Sequence, residues 1–332
     1  MSRNQIGRGQ NDRVQKCKSQ NRRGHRGVLL AGAILLGMLG LSGCGKTGGY
    51  AQVSEDIADT FPLEAEPAGE NPQLADSDGP YAVVHTTAGD ITILLYEEQA
   101  PKAVENFVGL ARQGYYDGTK IFYVKKDKLA QMGKPNPEEG AVSPDGQPLV
   151  YGEEKSLWGG PFADEFHDGL HNFPGAVGMA GSGQDNNLSQ FYFVVDQELP
   201  EDERVVSASM YINELVRQTS QELNARNDKT PMTEEEVQAV EDELNEKIQS
   251  INTQGIPEAY MGRYQPAVDR YMETGGTWGL DYKQTVFGQI IKGLNVAKAI
   301  TQVKVNAADR SPKQELVIES IEVFETLPED AG

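Results

Sequence analysis

Residues 81–96 alternate apolar and polar side chains on either side of Ala88, Gly89 and Asp90, reading YAVVHTT, turn, ITILLY, which is the pattern and turn chemistry of a β-hairpin. Short runs of the same kind return at residues 120–124, 176–179, 191–195, 285–290 and 315–324. Only two helical stretches lie among them. Pro101 opens the first, at the position where its missing N–H does no harm; Val104, Phe107, Val108 and Ala111 form its apolar face, and Gly114 ends it. Residues 295–303 form the second. Many short strands with two helices among them call for a mainly β fold that covers one face of its own sheet.

Between residues 201 and 276 the sequence changes character. Thr233 and Glu236 make a capping box, and Val237, Val240, Leu244, Ile248 and Ile251 then recur at three- and four-residue steps, the mark of an amphipathic helix. Tyr211, Leu215 and Leu223 point to another helix before it, while Pro257 and Pro266 are expected to break the chain after residue 251 into shorter pieces. We read a helical insertion over about residues 203–274. Its apolar stripe has to pack on the β domain, on the Tyr211 helix or on a partner. Internal packing is the expectation, and a structural cap with no part in binding is the plain alternative to a client surface.

The N-terminus is different material. Residues 1–27 carry eight Lys or Arg against Asp12 alone, and the apolar run at 28–41 is short for a membrane span. It ends in LSGC, with Ser42 and Gly43 just before Cys44, which looks like the lipobox of bacterial lipoproteins. On that reading residues 1–43 are a signal peptide, Cys44 carries lipid, 44–79 are an acidic flexible tether, 80–326 are the folded domain and 327–332 a tail. The expected location is the extracytoplasmic face of the cell membrane; the alternative is an uncleaved signal anchor with a chance cysteine. Cys17 lies in the removed segment, so no disulfide forms within the mature chain. Losing eight basic residues and one acidic residue takes the net charge from −20 to −27. Such a surface repels phosphate backbones and anionic headgroups, which argues against nucleic acid as a partner and leaves membrane attachment to the lipid on Cys44.

Four blocks carry a resemblance to a known family. They are EEQAPKAVENFVGLARQGYYDGT (97–119), WGGPFADEF (158–166), PGAVGMAGSGQDNNLSQFYF (174–193) and WGLDYKQTVFGQIIKGLNVAKAI (278–300). In sequence and in order they resemble the cyclophilin peptidyl-prolyl cis-trans isomerases. The resemblance implies a closed antiparallel β-barrel with two capping helices, here with a helical insertion, and catalysis of X–Pro rotation in proline-containing polypeptides. That rotation faces a barrier near 20 kcal/mol because the amide nitrogen shares its lone pair with the carbonyl. The reaction needs no nucleophile, metal or cofactor. A catalyst holds the proline ring in an apolar pocket, fixes the flanking backbone and donates a hydrogen bond to the nitrogen as it pyramidalises.

Position by position, the resemblance places the family's catalytic arginine at Tyr123 and a backbone-orienting glutamine at Gln131. The substrate wall falls on Leu129, Gln190, Tyr192, Leu280 and Gln284, and the strand-receiving edge on Gly181 and Ser182. Tyr192 stands for phenylalanine and so adds a hydroxyl, Lys128 stands for an aromatic, Gly279 for tryptophan with Trp278 one step away, Gln284 for histidine, and Leu188 for glycine beside the retained Asn187. Tyr123 can donate but is neutral. Losing one well-placed donor costs about 2.7 to 4 kcal/mol, which implies slow turnover. Lys125, two residues along the strand, is either a substitute donor or a solvated charge. The alternative function is a catalytically inactive proline-peptide-binding or chaperone-like lipoprotein. His85, His167 and His171 have no metal-ligand spacing, and no phosphate loop is present.

Overall fold

The structure, a computed structural model, describes residues 57–328 apart from 69–72, 75–76 and 144–145. The segment read as a signal peptide, Cys44, the first part of the stretch read as a tether and the end of the tail lie outside the described residues. In chain order the elements are β1 (Tyr81–Thr86), β2 (Gly89–Leu95), α1 (Pro101–Arg112), β3 (Thr119–Lys120), β4 (Tyr123–Lys125), β5 (Leu129–Met132), β6 (Ala176–Met179), β7 (Phe191–Val194), α2 (Glu203–Lys229), α3 (Glu234–Gln254), α4 (Glu258–Thr274), β8 (Val286–Lys292), α5 (Leu294–Thr301) and β9 (Val317–Phe324). The strands form one curled antiparallel sheet in the order β3-β9-β1-β2-β8-β6-β7-β5-β4.

The expected closed barrel is corrected to an open half-barrel. The two end strands, β3 and β4, do not pair with each other in a ladder. They are successive pieces of one strand-like run, separated by Ile121 and Phe122. Ile121 donates its N–H to the Leu316 carbonyl at 2.9 Å and Phe122 donates to Gln131 at 3.1 Å, so the chain crosses from one sheet end to the other. Alternation in β1 buries Ala82 and Val84 inside, where they meet Ile93, Val124, Ala130, Phe191, Phe193 and Phe287. Phe107 and Leu110 of α1 and Val296 and Ile300 of α5 belong to the same core.

Helices α2, α3 and α4 occupy residues 203–274. The capping box at Thr233 is made in both directions, and Leu244, Ile248 and Ile251 of α3 are buried. Pro266, expected to break the chain, lies inside α4. It costs one backbone hydrogen bond, which burial of Tyr264, Ala267, Val268 and Tyr271 on the same helix offsets. These side chains pack with Phe173, Val206, Met210 and Tyr282 in a second apolar cluster, bordered by Phe166 and Trp278.

Part of the stretch read as a tether packs on the sheet. Ile57, Ala58, Phe61, Leu63, Ala65 and Ala68 pack against the sheet core. Leu63 donates to the Ala88 carbonyl at 2.8 Å, Ala68 to Ile291 at 2.9 Å, and Gly293 donates back to Glu66 at 2.7 Å. Apolar residues at that spacing cover the hairpin turn and the rim of β8, so the boundary drawn at residue 80 falls inside the packed region.

Candidate active site

A single transverse row crosses the outside of the sheet. The register pairs Tyr123 with Gln131, Gln131 with Tyr192, and Tyr192 with Gly178. Their chain neighbours Val124, Ala130, Met132, Phe191 and Phe193 lie in the core, so period-two alternation turns the row outward. Leu129 sits in the next row, opposite Lys125 on one side and Val194 on the other.

The row extends through side chains. Gln131 Nε2 donates to Gln190 Oε1 at 2.9 Å, and Gln190 Nε2 donates to Glu154 Oε2 at 2.6 Å. A carboxylate only accepts, so Glu154 fixes which way the Gln190 amide faces, and Gln190 in turn draws the donor of Gln131. Glu154 was not readable as a site residue, since it stands in an irregular segment with no periodicity of its own.

Tyr192 is 3% exposed. Its ring lies over Gly178, where a Cβ would collide with it, and packs with Leu94, Leu170, Val286 and half-buried Leu280. Its hydroxyl donates to Asn172 Oδ1 at 2.5 Å. Burial first, and then the nearby Asp281, hold that hydroxyl's pKa well above the usual tyrosine value, so Tyr192 is a neutral donor.

Gln284 closes the neighbouring edge. Its Oε1 accepts the Gly181 N–H at 2.9 Å and its Nε2 donates to the Gly181 carbonyl at 3.0 Å. Ser182 Oγ accepts from Asn186 Nδ2 at 2.5 Å within the same loop. Asn187 reaches the opposite way, donating to Asp164 at 2.8 Å.

Lys128 turns away from the row, where its ammonium meets Asp196 and Glu198, both at 2.9 Å. Partial burial opposes its charge, but those two carboxylates lift its pKa above the usual lysine value. Lys125 is exposed and helps to depress the pKa of Glu198, behind Lys128 in effect, so its charge acts at the rim. Trp278 stacks edge-on to Tyr271 of α4 at 6.1 Å and belongs to the insertion's packing.

Beneath the row lies a buried polar node. Asp281 accepts from the Asn172 N–H at 2.9 Å, from Asn172 Nδ2 at 2.8 Å and from the Tyr271 hydroxyl at 2.9 Å. His171 Nδ1 stands 2.8 Å from its other oxygen. Burial works against charge on His171, yet Asp281 and the Asp168 carbonyl raise its pKa above the usual histidine value. His171 therefore has a full set of partners; among the described residues no three His, Cys, Asp or Glu side chains gather as metal ligands.

Two ordered glutamines thus stand beside a buried apolar cluster, and the adjoining Gly181 edge has both its backbone groups held by Gln284. The family model described as cyclophilin type peptidyl-prolyl cis-trans isomerase/CLD matches residues 81–323. This chain belongs to the cyclophilin-type peptidyl-prolyl cis-trans isomerase family. A Staphylococcus aureus (strain COL) relative, named "Putative peptidyl-prolyl cis-trans isomerase", is 34% identical over 243 residues, which cover 73% of this chain and 91% of that protein. A Staphylococcus epidermidis relative with the same name is 33% identical over the same shares. Among solved structures, a cyclophilin type peptidyl-prolyl cis-trans isomerase from Cryptosporidium parvum aligns with a TM-score of 0.44 at 18% identity, covering 74% of this chain and 97% of that one. In this cyclophilin Tyr123, the residue that the resemblance sets against the family's arginine, lies on β4 at the end of the transverse row.

Proposed function

We propose that this cyclophilin isomerises X–Pro bonds of exported polypeptides, slowly, from an anchor at the extracytoplasmic face of the cell membrane. The observation that carries the reading is the row itself: Tyr123, Gln131 and Tyr192 align across three strands with Leu280 packed beside them. The apolar side holds the proline ring, the glutamines hold flanking peptide groups, and Tyr123 stands where a donor to the twisting nitrogen is needed. A neutral phenol stabilises the developing lone pair less than a guanidinium, which is the reason for slow turnover.

The test is turnover of a short X–Pro peptide by the full chain and by Tyr123→Arg. Restoring a charged donor should raise kcat/KM by about a hundred-fold. A variant no faster than the parent, with both binding peptide, would show that another donor serves the site. The absence of an arginine also favours a second reading, a binder that grips proline segments without turning them over; parent and variant would then both bind and both fail to isomerise. For the anchor, Cys44→Ala should abolish metabolic incorporation of labelled fatty acid, and equal label in the variant removes the lipoprotein reading.

A further inference from the structure

We propose that the helical insertion positions the prolyl pocket, through a buried chain of hydrogen bonds that runs from α4 and α2 to the hydroxyl of Tyr192. The inference rests on the reading of Tyr192 as a pocket wall and adds a role for residues 203–274.

Two features set this chain apart from the pattern it resembles, a hydroxyl at residue 192 and an inserted helical unit. They meet at one place. Tyr271 of α4 lies 2.9 Å from each oxygen of Asp281. Asn213 of α2 donates to the backbone carbonyls of Asp281 at 2.8 Å and Gly279 at 3.2 Å, which fixes the loop carrying Leu280. Asp281 accepts from both nitrogens of Asn172, and Asn172 accepts from Tyr192.

The direction of this chain is determined by chemistry. Asp281 can only accept, so the Asn172 amide must turn its NH2 group to it and present its oxygen to Tyr192. Tyr192 then has to donate, and its ring is held over Gly178 rather than turned towards β5. A phenylalanine could not join this chain. Tyr271 is likewise kept a neutral donor, its pKa held well above the usual value by burial and then by Asp281. The side chains of Tyr192, Asn172, Asp281, Tyr271 and Asn213 are all buried, so breaking a bond among them leaves a polar atom without a partner rather than with water.

A double-mutant cycle on the full chain tests the link. Tyr192→Phe and Tyr271→Phe should each change the Kd for a short X–Pro peptide, in the same direction, by about two- to ten-fold. In the Tyr192→Phe background, Tyr271→Phe should add little, since the chain it acts through is already cut. The side-chain amide resonances of Gln131 and Gln190 should move in both single variants without any peptide present. Asn213→Ala cuts the α2 arm and serves if Tyr271→Phe does not fold. The proposal is overturned if Tyr271→Phe lowers the melting temperature while leaving Kd and those amide resonances at their parental values, or if the two effects on Kd simply multiply. A parent that binds peptide but shows no turnover would refute the isomerase reading alone, because the cycle is measured on Kd.

Discussion

Two glutamines do the same work at different places: Gln284 grips both backbone groups of Gly181, and Gln73 grips both of His171, at 2.8 and 2.9 Å. Each carboxamide stands in for a peptide group of a neighbouring strand. At Gly181 this matters for function, since the family resemblance makes that edge the receiver of the peptide. An incoming strand has to displace Gln284 and two hydrogen bonds, each worth about 0.5–1.5 kcal/mol net. Gln284→Ala should therefore tighten the Kd for an X–Pro peptide about ten-fold, as measured by NMR titration. Unchanged or weaker binding would mean that peptide does not pair with Gly181. The substitution of histidine by glutamine was legible in the sequence. Its pair of hydrogen bonds to Gly181 was not, because the two residues are 103 apart and nothing in either neighbourhood signals the contact. The same holds for Asn172 and Asp281, 109 apart, and for Glu154 and Gln190, 36 apart.

Elements were easier to read than contacts wherever a local period or cap determined them. The hairpin, α1 and the Thr233 capping box all depend on residues within one or two turns of each other. The turn itself lies one residue earlier than the Ala88-Gly89-Asp90 reading, at Thr87 and Ala88, because Gly89 already pairs with Thr86. Strand β5 escaped notice: it is four residues long, comes after a charged run, and buries only Ala130 and Met132. Pro266 misled for the opposite reason, its local cost being outweighed by distant packing. The stripe on α3 is where local pattern and packing agree. Leu244 is 3% exposed and sits with Ile248 and Ile251 on the side of α3 turned from water. Leu244→Ala should lower unfolding free energy by about 2–5 kcal/mol, read from urea denaturation. A loss below about 0.5 kcal/mol, the usual range for surface substitutions, would mean that the stripe faces a partner instead.

At the scale of the whole molecule, residues 57–68, N-terminal to the sheet, are part of the folded unit. The composition of residues 44–79, rich in Gly, Pro, Ala and acidic residues, reads as a tether, yet apolar residues from Ile57 on dock. Phe61 and Leu63 pack on the core beside the β1–β2 turn, and Glu64 and Glu66 are bound to Asn295 at 2.9 and 3.1 Å. Further on, Leu74 packs against the cluster that holds Tyr192, and Gln73 holds His171, which contacts Asp281. The segment thus reaches the polar node through Gln73 and His171. A chain cut to begin at residue 80 loses these backbone bonds, at about 1 kcal/mol each, together with the half-buried apolar contacts. Compared with a chain beginning at residue 57, it should unfold at least about 3 kcal/mol more easily in urea. It should also bind an X–Pro peptide more weakly, because His171 and Asp281 lose the partner that braces them. Phe61→Ala in the longer chain separates the two consequences: it removes core packing but leaves Gln73 in place, so stability should fall while peptide affinity stays. Equal urea midpoints for the chains starting at 57 and 80 would return the segment to the role of a tether. Equal affinities with unequal midpoints would confine it to stability and leave the pocket braced by the insertion alone.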